Sequence, residues 1–165
     1  MGKCWFVIIF FFSFSINSHE IKPAIVDLII AEGQASIDFK INAEQVLAGV
    51  DASKYQDTND APQAELYDQY REKSEEDLKQ DIQQNWNLFQ DQIIINGLNI
   101  SSSLNLIDLS TDKDINPEYP RDTDLKTEIF IDQNVFTIQF ANELGPVVIR
   151  QFKDINKENM IFSTY

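Results

Sequence analysis

Apolar and polar side chains alternate along much of this chain, and the period of the alternation changes twice. Ala35, Ile37, Phe39 and Ile41 are separated by Ser36, Asp38 and Lys40, which predicts a strand with one buried face. The run before it, Ala24 to Ala31, is apolar almost throughout and predicts a strand buried on both sides, joined to its successor by a turn at Glu32-Gly33-Gln34. Ala43 to Val50 follows as a short helical turn closed by Gly49. Beyond a polar stretch that starts at residue 51, a helix is expected around Ala64 to Tyr70. Ser74 followed by Glu75, Glu76 and Asp77 has the form of an N-cap with acids in the first turn, where the helix dipole favours them. Leu78, Ile82, Trp86 and Phe89 then recur at spacings of four, four and three, on one helical face. Such a face predicts a helix laid over a sheet rather than an aromatic ligand box.

From about residue 92 the period returns to two. Gln92 to Ile95, an Asn96-Gly97 turn and Leu98 to Ser110 read as a hairpin, because Asn-Gly supplies the positive φ angles that tight hairpin turns need. The stretch STDKDINPEYPRDTD reads as loop. Leu125, Thr127, Ile129 and Ile131 alternate with polar neighbours, and Phe136, Ile138 and Phe140 do the same after a turn at Asp132-Gln133-Asn134. Val147 to Phe152 and Met160 to Phe162 add two short strands. The fold class expected is mainly β (α+β): an antiparallel β-sandwich-like domain with a helical insertion around residues 63–91.

The first 18 residues change the reading of everything after them. MGKCWFVIIFFFSFSINS places one cation, Lys3, before an apolar core from Cys4 to Ile16 and then small polar residues, the layout of a secretory signal peptide. The apolar stretch is shorter than the roughly 20 residues a spanning helix needs. Cleavage is expected after Ser18, giving an exported chain that starts at His19 and forms one domain to residue 165; an uncleaved N-terminal anchor is the alternative. Both place the domain on the extracytoplasmic, or periplasmic, side. The only cysteine, Cys4, leaves with the leader, which excludes disulfides, thiol catalysis and thiolate zinc sites from the exported part. The 27 acidic residues, against the 13 basic ones less Lys3, leave a formal charge of about −15. That sign excludes nucleic acid as a partner, since binding phosphates requires the opposite one. It suits solubility or the attraction of cations.

Motifs for chemistry are few. A Ser-His-Asp or Cys-His arrangement needs a fixed histidine beside a nucleophile, and the single histidine, His19, stands at the expected chain end. None of the five glycines belongs to a phosphate-cradling loop. No enzyme is expected. Two acidic loops approach a calcium pattern. DTNDAPQAELYD from Asp57 has oxygen ligands at its first and third positions, then Ala61 where an oxygen is wanted and Pro62 where glycine makes the turn. DKDIN from Asp112 to Asn116 again has a proline, Pro117, in the glycine place. An irregular site built on Asp57, Asn59 and Asp60, or on Asp112 and Asp114, stays open beside the reading of solvated loops.

His19-Glu20-Ile21-Lys22-Pro23-Ala24 resembles the H-E-[IV]-[RK]-P-A start of the extracytoplasmic domain in HupE/UreJ-like bacterial membrane proteins. The resemblance continues through VLAGVD (46–51), DTNDAP (57–62), PRDT (120–123) and LGPVVIRQ (144–151), and so spans most of the exported chain. It implies an exported head followed by a bundle of membrane helices, in a family associated with nickel or cobalt uptake. This sequence contains neither that bundle nor its histidine-bearing motif, so transport itself falls to the protein that such a head would belong to. For the head, two readings stay open. In the first, the α-amino group and imidazole of a freed His19 chelate a divalent ion, with Glu20 or a loop carboxylate adding oxygen, a donor set that nickel, cobalt or copper accepts; calcium would suit the loop oxygens alone. In the second, the head has no metal role: His19-Glu20 merely begins the first strand of a structural β-domain, or the head docks on its membrane bundle in cis or on another envelope protein.

Overall fold

The computed structural model describes residues 20–31, 34–96, 104–113, 119–130 and 137–152, and the backbone of 160–164. The leader, His19 and the turn residues Glu32, Gly33, Gly97 and 132–134 lie outside these residues, as do Asp114, Asn116 and Pro117 of the second acidic loop.

The predicted alternation becomes a hairpin of β1 (Ala24–Ala31) and β2 (Gln34–Ile41), paired antiparallel with Val26 opposite Phe39 and Leu28 opposite Ile37. On its other flank β2 pairs antiparallel with β5 (Thr123–Phe130), so that Phe39 meets Leu125 and Ile37 meets Thr127. β4 (Asn105–Thr111) closes that edge against β5 with a bulge between Leu106 and Asp108. On the far side of β1 lie β7 (Val147–Phe152) and then β8 (Met160–Thr164). The sheet order is therefore β4-β5-β2-β1-β7-β8. A second sheet of two strands, β3 (Ile93–Asn96) and β6 (Thr137–Phe140), completes the β structure among the described residues.

The mainly β, α+β class is as expected, with two refinements. β7 runs parallel to β1, because the chain re-enters the sheet at the end where β1 begins and the Ala24 amide donates to Pro146 O at 2.9 Å. Among the described residues β3 pairs with β6 and β4 with β5 rather than with each other, while the Gly97 turn position and residues 98–103 of the expected hairpin lie outside the described residues. Period-two alternation identifies a strand but does not choose its neighbour. Ile93, Ile95, Ile138 and Phe140 all pack on the main core, and pairing β3 with β6 lets one small ribbon bury the four together.

The helical insertion lies where the 3.6-residue period put it. α1 (Ala43–Ala48) starts at Asn42, whose side chain accepts from the Gln45 amide, and stops at Gly49, which takes the left-handed φ of 70°. α2 (Ala64–Arg71), α3 (Glu75–Gln84) and α4 (Trp86–Gln90) follow. Ser74 caps α3 as predicted, its hydroxyl accepting from the Asp77 amide at 3.1 Å. The expected single helix through Phe89 is broken at Asn85, whose side chain donates back to Asp81 O at 2.9 Å. Both parts keep their apolar face inward: Leu78, Ile82 and Phe89 are buried, and Trp86 stacks on Phe89 with ring centroids 5.8 Å apart.

One face of the large sheet supplies the core. Val26, Ile37, Phe39, Leu125 and Ile129 meet the helices and the small sheet there, with Phe140 edge-on to Phe39 at 6.3 Å. Full burial of a residue such as Ile37 contributes about 1.5–3 kcal/mol. The opposite face carries the polar alternate positions of β2 and β5 and, on β1, Asp27 between Ile25 and Ile29.

Candidate functional site

The N-terminal segment enters β1 by crossing the helical insertion. Glu20 forms an isolated antiparallel bridge with Asp57, and the Ile21 amide donates to Gln56 O at 3.0 Å. Asp57 precedes a 3₁₀ turn, Thr58–Asp60, and caps it by accepting from the Asn59 amide at 2.9 Å. The side chains of Glu20, Asn59 and Asp60 are exposed and that of Asp57 is partly so. Of the five residues singled out for a metal, the structure thus brings Glu20 to Asp57 and sets Asn59 and Asp60 in the adjoining turn, while His19 lies outside the described residues. Among the described residues no three His, Cys, Asp or Glu side chains converge as a metal site.

Beside this region lies a buried ionic cluster. Arg121 donates from Nε to Glu44 Oε1 at 2.7 Å, from Nη1 to Lys73 O at 2.8 Å and from Nη2 to Tyr70 O at 3.0 Å. Its two carbonyl partners lie at the C-terminal end of α2, where the helix dipole is negative. Glu44 is fully buried and Arg121 is 3% exposed, so the pair is removed from water, and Glu44 Oε2 is a buried acceptor without a hydrogen-bond donor among the described residues. Arg71 reaches the other way, from α2 to Tyr119 O at 2.7 Å, with its guanidinium 5.8 Å from the Tyr67 ring centre. Burial pushes the Tyr67 phenol above its ordinary range, against the opposing effect of the Asn42 amide that donates to it at 2.9 Å.

Asp122, next to Arg121, lies 3.8 Å from Lys22 and 3.5 Å from Lys40. Burial pulls the Lys40 ammonium down, but Asp124 and Asp122 together outweigh it and hold the group above the usual lysine value. The 142–145 turn completes this end of the molecule. Glu143 O accepts from the Ala52 amide at 2.9 Å, and a Cβ on Gly145 would stand 2.7 Å from Ala52 Cβ. The five segments on which the family resemblance rests are therefore neighbours in space, around the start of β1.

The open face of the large sheet holds a second arrangement. Cross-strand register places Arg150, Asp27, Asp38, Lys126 and Asp108 in one row across β7, β1, β2, β5 and β4. Arg150 grips Asp27 with two bonds, Nε to Oδ1 at 2.5 Å and Nη2 to Oδ2 at 2.9 Å. Asp27 is only 4% exposed, and its cross-strand partner Asp38 is a like charge. Lys126 reaches Asp108 at 3.6 Å with both side chains exposed. The row floors an open polar hollow of about 330 Å³. In the core, by contrast, the space between Phe39, Trp86, Phe89 and Leu144 is an apolar void of about 10 Å³, too small for a ligand.

Sequence reasoning did not single out Glu44, Arg121, Asp27 or Arg150. A signal existed for the last two, since each is the one charge in an apolar strand (AIVDLIIA and VVIRQF) and a charge so placed must find a partner. No helix among the described residues is long and apolar enough to cross a membrane. Comparison with known proteins found no family model that matches the chain and no curated protein that matches it.

Proposed function

We propose that this chain is the exported, non-enzymatic head domain of a HupE/UreJ-like membrane protein, and that it supports nickel or cobalt uptake by capturing the divalent ion at its N-terminus. The observation that carries the reading is the bridge between Glu20 and Asp57, which ties the segment following His19 to the acidic 57–60 turn. Cleavage behind Ser18 would give His19 a free α-amino group beside its imidazole, two nitrogen donors in one chelate ring. Glu20, Asp57, Asn59 and Asp60 are the oxygen donors nearest in the chain or across the bridge. That mixed set suits nickel, cobalt or copper, whereas the loop oxygens alone suit calcium. Two further observations support the reading. The five resembling segments gather at one end of the sheet, and the exported chain's formal charge of about −15 draws cations toward the surface. The partner in cis is a bundle of membrane helices.

Calorimetric titration of the processed chain with nickel, cobalt, copper and calcium tests this, once mass spectrometry has verified His19 as the first residue. Micromolar or tighter nickel or cobalt binding that disappears in His19→Ala supports capture; affinity that survives the substitution sinks the N-terminal chelate. The charged row on the open sheet face favours a second reading, a structural or protein-interaction β-domain of the cell envelope with no metal role. It predicts that none of the four ions binds.

A further inference from the structure

Residues 20–22 do more than lead into β1. Glu20 and Ile21 pair with the 56–57 backbone, Lys22 faces Asp122, and the half-buried Ile21 side chain packs with Ala48, Val50, Ala61 and Tyr67. That cluster is distinct from the main core, and its buried members come only from α1, the 49–61 connection and α2. Among the described residues, this connection reaches beyond its own neighbourhood through the Ala52 amide on Glu143 O, the Ile21 amide on Gln56 O and the Glu20–Asp57 bridge. Two of these three ties run to residues 20 and 21, so the segment that enters β1 bears directly on how the connection is held. Ile21 supplies the apolar contact from outside the insertion that completes it.

We propose that residues 20–22 form a docking strap with Ile21 as its positioning residue, so that the seating of Ile21 and the ordering of residues 48–61 are one linked equilibrium. The strap stands on the contacts above; only its consequence for ion binding rests on the metal-capture reading. The Ile21 side chain has no donor atom, so it can alter an ion's affinity only through the position it gives to the backbone, to Glu20 and to the residue before it. An ion that binds the seated N-terminus together with Asp57 must in turn stabilise residues 48–61, because the coupling is reciprocal.

The test is hydrogen exchange on the processed full-length chain, as wild type, Ile21→Ala and Ile21→Leu, each with and without nickel chloride and accompanied by nickel calorimetry. Ile21→Ala is expected to lower amide protection across 48–61 by roughly tenfold while β2 and β5 keep theirs, and Ile21→Leu to restore most of it. Nickel is expected to raise protection across 48–61 in the wild type, and to bind Ile21→Ala roughly tenfold more weakly although no ligand atom has been removed. Unchanged protection of 48–61 in Ile21→Ala overturns the strap. Reduced protection with undiminished nickel affinity overturns the positioning role. A wild type that binds no nickel overturns the capture reading, and the exchange result then judges the strap alone.

Discussion

Arg121 shows how much one side chain can hold at a junction. It joins Glu44 of α1 to the carbonyls that end α2, and it does so out of contact with water. Removing it leaves a fully buried carboxylate without its counter-charge, which in comparable settings costs about 3–5 kcal/mol. Arg121→Met is therefore expected to lose about that much stability in urea unfolding with an unchanged slope. Glu44→Met combined with Arg121→Met is expected to lose less than Arg121→Met alone, because the stranded charge is gone and only the Tyr70 and Lys73 carbonyls lack their donor. A single substitution costing under about 1 kcal/mol, or a double costing the sum of both singles, would show that the pair is not isolated from solvent as the geometry requires. Little along the chain announces this cluster. Glu44 looks like any first-turn acid of a short helix, and only the return of the chain 77 residues later reveals its partner. The acidic Asp57–Asp60 turn was legible because ligand spacing is local, whereas its bridge to Glu20 is not.

Elements were read best where period and cap agreed. β1, β2 and the start of α3 lie within a residue or so of their predicted limits, because alternation, a Ser74 cap and first-turn acids all point the same way. The partners of β3 and β4 were not legible, since pairing depends on which side chains share a layer rather than on the strand's own pattern. The turn before β7 is another element whose reason is tertiary. Gly145 has φ 80° and ψ −154°, a region closed to residues with a Cβ, and it lies against Ala52. Gly145→Ala is expected to cost about 1–3 kcal/mol in thermal or chemical unfolding. Ala52→Gly placed in the same chain removes the 2.7 Å collision and should return only part of the loss, because the backbone strain remains. Full recovery in the double variant would show that the backbone at Gly145 is not strained and that the collision is the whole effect.

At the scale of the molecule, the two faces of the large sheet obey different physics. The inner face is apolar and covered by helices and the small sheet; the outer face carries charges in register, and its stability depends on how far each is taken out of water. Asp27 has a side chain 6% exposed, lies opposite Asp38 and is held by both arms of Arg150. Two like charges facing each other across adjacent strands are unfavourable, and Arg150 offsets them from one side. Arg150→Met should accordingly cost about 2–4 kcal/mol, the range for a largely buried acid that loses a bidentate partner. Lys126→Met in the same row should cost less than about 1 kcal/mol, because Lys126 and Asp108 are 56% and 61% exposed and solvent already screens them. Salt separates the two cases further: raising it toward roughly 1 M shortens the screening length to about 3 Å, which should erase the Lys126 effect and leave most of the Arg150 effect. Unfolding measured for both variants at low and high salt decides the matter. Equal losses, or an Arg150 loss that salt abolishes, would mean that water reaches Asp27 and that the outer face is one continuous solvated surface. Unequal losses that persist in salt would mean that the sheet keeps a desolvated charge at its centre, beneath a hollow wide enough for a partner's side chains.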